Sequence, residues 1–143
     1  MTDRVWRKLL LLCLLGASPA WAAPVPETRP SESAVEGVWK LEQIVRSTGP
    51  IRTEGGFIFQ GGDYSTTVNY SQMGTQTNIS QFGNYAVEGS RLVLVPTVHV
   101  STRGQTVIYE PEPPFTLEVT LTGDEMKGVA VKDGTTFVFR RLR

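Results

Sequence analysis

The chain has 143 residues with fourteen basic and fourteen acidic side chains, a formal charge of zero. Removing the export signal identified below takes Arg4, Arg7, Lys8 and Asp3, leaving eleven basic against thirteen acidic residues over 121 positions, a net charge of −2. A chain of that length buries one core, a near-neutral balance excludes the clustered basic face of a nucleic-acid binder, and loss of the sole cysteine, Cys13, excludes disulfides and cysteine-ligated metals.

In chain order, a positively charged start (Arg4, Arg7, Lys8) runs into the apolar stretch Leu9–Leu15, and Ala20-Trp21-Ala22 offers small residues where a signal peptidase needs them. Residues 1–22 therefore read as a cleaved secretory signal, and the protein as secreted or periplasmic. The apolar run is far shorter than the ~20 residues that cross a bilayer, so no stable membrane insertion is expected. Leu12 stands where a lipid-anchoring signal needs a small residue before Cys13. Residues 23–35, with Pro24, Pro26 and Pro30, read as a flexible leader, because proline removes a backbone donor and the polar remainder cannot offset ordering entropy.

From residue 36 to 143 the hydrophobic period is two. Phe115, Leu117, Val119 and Leu121 alternate with Thr116, Glu118, Thr120 and Thr122, which buries one face of a strand and wets the other. Turn signals recur at Gly61-Gly62-Asp63, Glu88-Gly89-Ser90, Gly123-Asp124 and Asp133-Gly134. The intervals predict strands near 37–46, 55–60, 63–70, 80–88, 91–100, 105–110, 115–122, 126–132 and 135–142, with 71–79 the longest polar connection. The fold class is all-β: an antiparallel, up-and-down barrel of eight or nine strands, since closure removes exposed edges. A two-sheet sandwich is the rival, and it wants longer crossovers.

Gly37-Val38-Trp39 at the first strand and Arg140-Arg141 near the end of the last resemble lipocalin-like proteins of the calycin group. Phe57–Ser65 is similar to a hairpin of small bacterial domains of that kind, and Gly83–Leu92 to the Gly-x-Tyr unit that follows it. The resemblance implies a barrel closed at one end by Trp39, with Arg140 or Arg141 packed over the indole, and Gly37 opening the first strand. Those four residues are structural. The resemblance also implies, by fold alone, an interior that carries a small hydrophobic molecule.

No catalytic constellation is legible. His99 is the single histidine, in a strand apolar on both faces, and Pro96 introduces a bulge that hides its direction. It is a general base or cavity group if it points inward, and a solvated strand-end residue if not. Too few histidines are present for zinc, so neither metal nor other cofactor is expected. Ser101 lacks a nucleophile elbow, the double glycines lack a following helix, and Asp124-Glu125 and Glu110–Pro114 read as solvated turn and loop. Tyr64 to Phe82 is uncharged yet rich in hydroxyls, amides and aromatics, which suits the rim or lid of a ligand pocket. Tyr64, Asn69, Tyr70, Gln72, Met73 and Phe82, with His99, are the candidate ligand-binding residues. Asn69-Tyr70-Ser71 and Asn78-Ile79-Ser80 also match glycosylation sequons.

The leading functional reading is an exported barrel that binds a small apolar or amphipathic molecule in its interior. The alternatives are an exported inhibitor or interaction protein using the barrel surface or the leader, a cavity-based isomerase or cyclase, and an envelope component without a pocket.

Overall fold

The computed structural model describes residues 22–143, so the segment read as a secretory signal lies outside the described residues except for Ala22. Among the described residues, the alternating segments form β1 (Gly37–Arg46), β2 (Gly49–Gln60), β3 (Asp63–Gln72), β4 (Thr75–Glu88), β5 (Arg91–Arg103), β6 (Thr106–Ile108), β7 (Phe115–Thr122), β8 (Glu125–Ala130) and β9 (Thr136–Leu142). Every ladder is antiparallel. Sequential neighbours pair except β6 and β7, β5 pairs with β7 instead, and β9 returns to β1, so β1-β2-β3-β4-β5-β7-β8-β9 close into an eight-stranded barrel. Closure pairs both sides of every ring strand over part of its length, leaving one opening where β5 and β7 part. The ninth strand, β6, pairs only with Ser101–Arg103 outside the ring.

Inward residues alternate as the period demands: Tyr64, Thr66, Val68 and Tyr70 on β3, and Leu117, Val119 and Leu121 on β7, are buried. The buried hydroxyl of Thr53 donates to the Leu41 carbonyl beside the β1 bulge, and that of Thr66 donates to the Gly56 carbonyl at 2.8 Å. Both thus keep partners where an unsatisfied hydroxyl costs about 1–3 kcal/mol. Close strand approach requires glycine at two bends. A Cβ at Gly56 would lie 2.0 Å from the Trp39 carbonyl oxygen, and one at Gly83 2.0 Å from that of Val95.

The structure corrects one stretch of the sequence reading. Residues 71–79 are not a crossover loop, because β3 and β4 continue as a ladder from Asp63↔Asn84 to Gln72↔Thr75. They are joined by the two-residue turn Met73-Gly74, both at positive φ (52° and 76°). Two positive φ values match the twist of a tight hairpin, so the uncharged polar residues belong to strands rather than to a lid.

One end of the barrel is sealed. Trp39 is fully buried and its indole N–H donates to the Val35 carbonyl at 2.7 Å. The Arg141 guanidinium lies 4.2 Å above the indole and donates to the carbonyls of Ala34 and Glu36. Those carbonyls belong to a single helical turn and its end, α1 (Glu32–Val35), capped by the Ser31 hydroxyl, with Val35 fully buried. Within the stretch read as a leader, Thr28 also bridges to Leu121 and Pro30 is buried. Of the two candidate arginines, Arg141 shares the inward face of Phe137 and Phe139. Arg140 points out to Glu42 and Glu125 at 3.4 Å each.

Arg141→Ala removes a cation–π contact of ~0.5–2 kcal/mol and strips two carbonyls of a charged donor, so its expected cost is about 2–4 kcal/mol. Arg140→Ala, at an exposed pair, is expected to cost less than about 1 kcal/mol. Urea unfolding of the two variants tests the distinction, and equal costs would contradict it.

Candidate functional site

The aromatic layer above Trp39 divides the interior. Phe57 meets Phe139 edge-on at 5.4 Å and Phe59 meets Tyr85 edge-on at 5.1 Å, filling the sealed end. Toward the other end Phe115 meets Phe137 edge-on at 5.7 Å, and beside this pair a cavity of about 200 Å³ remains. Its apolar wall includes Leu41, Val68, Ile79, Leu94, Phe115 and Phe137, and its polar groups are Thr66, Tyr70, Gln81, His99 and Glu112. The cavity exceeds the ~150 Å³ apolar void that holds a benzene ring.

The opening follows from the ladders. β5 and β7 pair only over Arg91–Leu94 and Phe115–Glu118, and β5 next meets a strand on that side at Ser101, opposite Ile108 at the end of β6. The connection from β6 to β7 crosses this gap and sets Glu112 and Pro113 against the cavity.

His99 reaches the interior because of an irregularity in β5. Phe82 pairs with Val98, but Gly83 pairs with Pro96, leaving Thr97 as an extra residue. A bulge of one residue reverses which face the following side chains take. Leu94 and Pro96 face inward before it, and His99 faces inward after it. Pro96 sits at the irregularity expected of it, because proline cannot supply a ladder donor.

Behind the mouth, four side chains form a chain of polar contacts. The Tyr64 hydroxyl donates to Gln81 Oε1 at 2.9 Å, Gln81 Nε2 lies 3.0 Å from His99 Nδ1, and His99 Nε2 lies 3.5 Å from Glu112 Oε1. An amide nitrogen only donates, so Nδ1 accepts and the neutral ring carries its proton on Nε2, facing the carboxylate. The opposite arrangement would turn a ring lone pair toward the carboxylate. The His99 side chain is 8% exposed and that of Glu112 is 47% exposed, so the chain runs from the buried wall out to the solvent. Burial, and secondarily the Glu112 charge, pushes the Tyr64 hydroxyl up to about 12.

The structure brings together some of the residues selected from sequence. Tyr70 and His99 line the cavity, and Tyr64 adjoins it through Gln81. Asn69 faces the outer wall, beside a polar groove with Lys40 and Glu54. Gln72 accepts a hydrogen bond from Arg46 at the hairpin end, where Arg46 also lies 6.0 Å from the Tyr70 ring. Met73 is 94% exposed on the turn, and Phe82 projects outward between Ser65 and Val98. Sequence reasoning missed Gln81 and Glu112. Gln81 was reachable, since it shares the period of Tyr85 and Gly83. Glu112, read as a solvated loop carboxylate, carried no local signal, because the path of a proline-rich connection is set by the gap it spans.

With the hydroxyl of Tyr64 raised from the ordinary 10.0 to about 12, its neutral form stabilises the fold fully below pH 10, and that contribution is lost as the pH rises toward 12. Burial also raises the Tyr85 hydroxyl, so a spectroscopic alkaline titration is expected to show a late phenolate step that Tyr64→Phe makes smaller. Loss of amplitude from the early step instead, with the late one intact, would contradict the burial of the Tyr64 hydroxyl.

Comparison of the chain with protein-family models finds no match, and neither the curated proteins nor the solved structures provide one.

Proposed function

We propose that the protein is an exported, lipocalin-like barrel that binds one small apolar or amphipathic molecule in its interior without transforming it. The observation that carries this reading is the cavity itself: about 200 Å³, largely apolar in its wall, with Gln81, His99 and Glu112 linked beside the gap between β5 and β7. A site of this form holds a ligand by burial of its body and orients it by a few convergent hydrogen bonds. The volume lies below the ~300 Å³ at which drug-sized pockets begin, so the ligand class is one ring or a short chain. Export is supported by the basic and apolar pattern of residues 1–22, and the lipocalin likeness by Trp39 beneath Arg141.

Binding without chemistry is favoured over the isomerase reading by the state of the polar groups. His99 Nδ1 already accepts from Gln81, and Nε2 faces a carboxylate, so neither ring nitrogen presents a lone pair to the cavity as a general base must.

Benzyl alcohol titrated into the isotope-labelled protein is expected to shift the amide signals of Val68, Leu94, Phe115 and Phe137 at saturable concentration. Val68→Phe adds a ring to the wall at an overpacking cost of about 1–3 kcal/mol and is expected to abolish those shifts while the protein stays folded. Unchanged binding in that variant, or shifts confined to the outer wall, would contradict an interior site.

A further inference from the structure

The chemistry at the mouth selects among amphipathic ligands. Among the described residues, no lysine or arginine lines the cavity, and its ionisable lining groups are Tyr70, His99 and Glu112. Arg46, the cation packed near the Tyr70 ring, is held by Gln72 and is not part of the lining. Glu112 has one close partner, the weakly placed His99 Nε2, and is half exposed.

Hydrogen-bond direction points the same way. Tyr64 donates to Gln81, Gln81 to His99, and His99 toward Glu112, so three donors are directed along the chain and end on a carboxylate. That carboxylate has about four acceptor sites, one of which His99 Nε2 approaches at 3.5 Å. The mouth therefore offers unused acceptors and a negative charge. A ligand carboxylate placed there would face Glu112 with no cation to offset the repulsion, whereas an ammonium group would complete the chain.

We propose that the cavity takes a small primary amine, its single ring or short chain buried against the Phe115–Phe137 pair and its ammonium bound to Glu112. This rests on the interior-binding reading above and names the ligand class for the same site. Glu112 supplies the charge, while His99, fixed by Gln81, holds the carboxylate in place across the gap between β5 and β7.

Three ligands of matched size test it: phenethylamine, phenethyl alcohol and hydrocinnamate, each measured by calorimetry and by shifts of the lining amides. The amine is expected to bind about tenfold tighter than the alcohol, the advantage of an ion pair over a neutral donor on the same carboxylate, and the carboxylate to bind weakest. In Glu112→Gln, whose half-exposed side chain can change without disturbing the core, the amine is expected to fall to within about twofold of the alcohol, with Tm unchanged. Equal binding of amine and alcohol to the native protein, or an amine preference that survives Glu112→Gln, would overturn the amine assignment and leave the interior-binding reading standing. Failure of all three ligands to shift the lining amides would overturn both.

Discussion

The contact between Arg141 and Trp39 ties the end of the last strand to the beginning of the first. Its guanidinium covers the indole and also holds the carbonyls of residues 34 and 36, so a charge, a large ring and a helical turn are secured by one side chain. Burying a tryptophan removes roughly 200 Å² from water, worth on the order of 5 kcal/mol before entropy is counted. The same contact determines where the interior can remain open. With Trp39, Phe59, Tyr85 and Phe139 filling one end, the space left inside the ring lies toward the other.

At that other end the wall is incomplete, and this is where the polar groups gather. β5 separates from β7 after Leu94, and the departure leaves a gap that a barrel of uniform ladders would lack. The extra residue at Thr97 then turns His99 inward beside the gap. A bulge weakens a ladder locally, but here it converts an apolar strand into one with a polar group at a cavity mouth. Gln81, directly across the ladder from His99, satisfies the ring nitrogen that burial would otherwise orphan. Fold irregularity and site chemistry thus have one origin.

Much of the fold was legible because the period-two pattern and the glycine turns are local signals. The segments around Phe115–Leu121 and Asp133-Gly134 fall where alternation and turn chemistry put them. Closure was legible through Trp39 and the terminal arginines, although choosing Arg141 over Arg140 needed the parity of Phe137 and Phe139. The stretch 71–79 misled, since polar strands that extend beyond a core resemble loops in composition. Within the candidate site, Tyr70 and His99 were selected for residue type. Asn69 and Phe82 were selected on the same ground and face outward, because composition carries no direction and the ladder does. Glu112 was hidden for a different reason: three prolines around it suggest a solvated connection, and what brings it inward is a gap between distant strands.

The central physical claim is that an apolar void persists inside the closed ring, beyond the aromatic layer and behind His99. Xenon-pressurised crystals test it most directly, because the gas enters apolar cavities of this size without requiring any particular ligand chemistry. Xenon density bounded by Leu94, Phe57 and Phe137 is the expected result. An interior closed by repacked side chains, with xenon found at no site inside the ring, would contradict it.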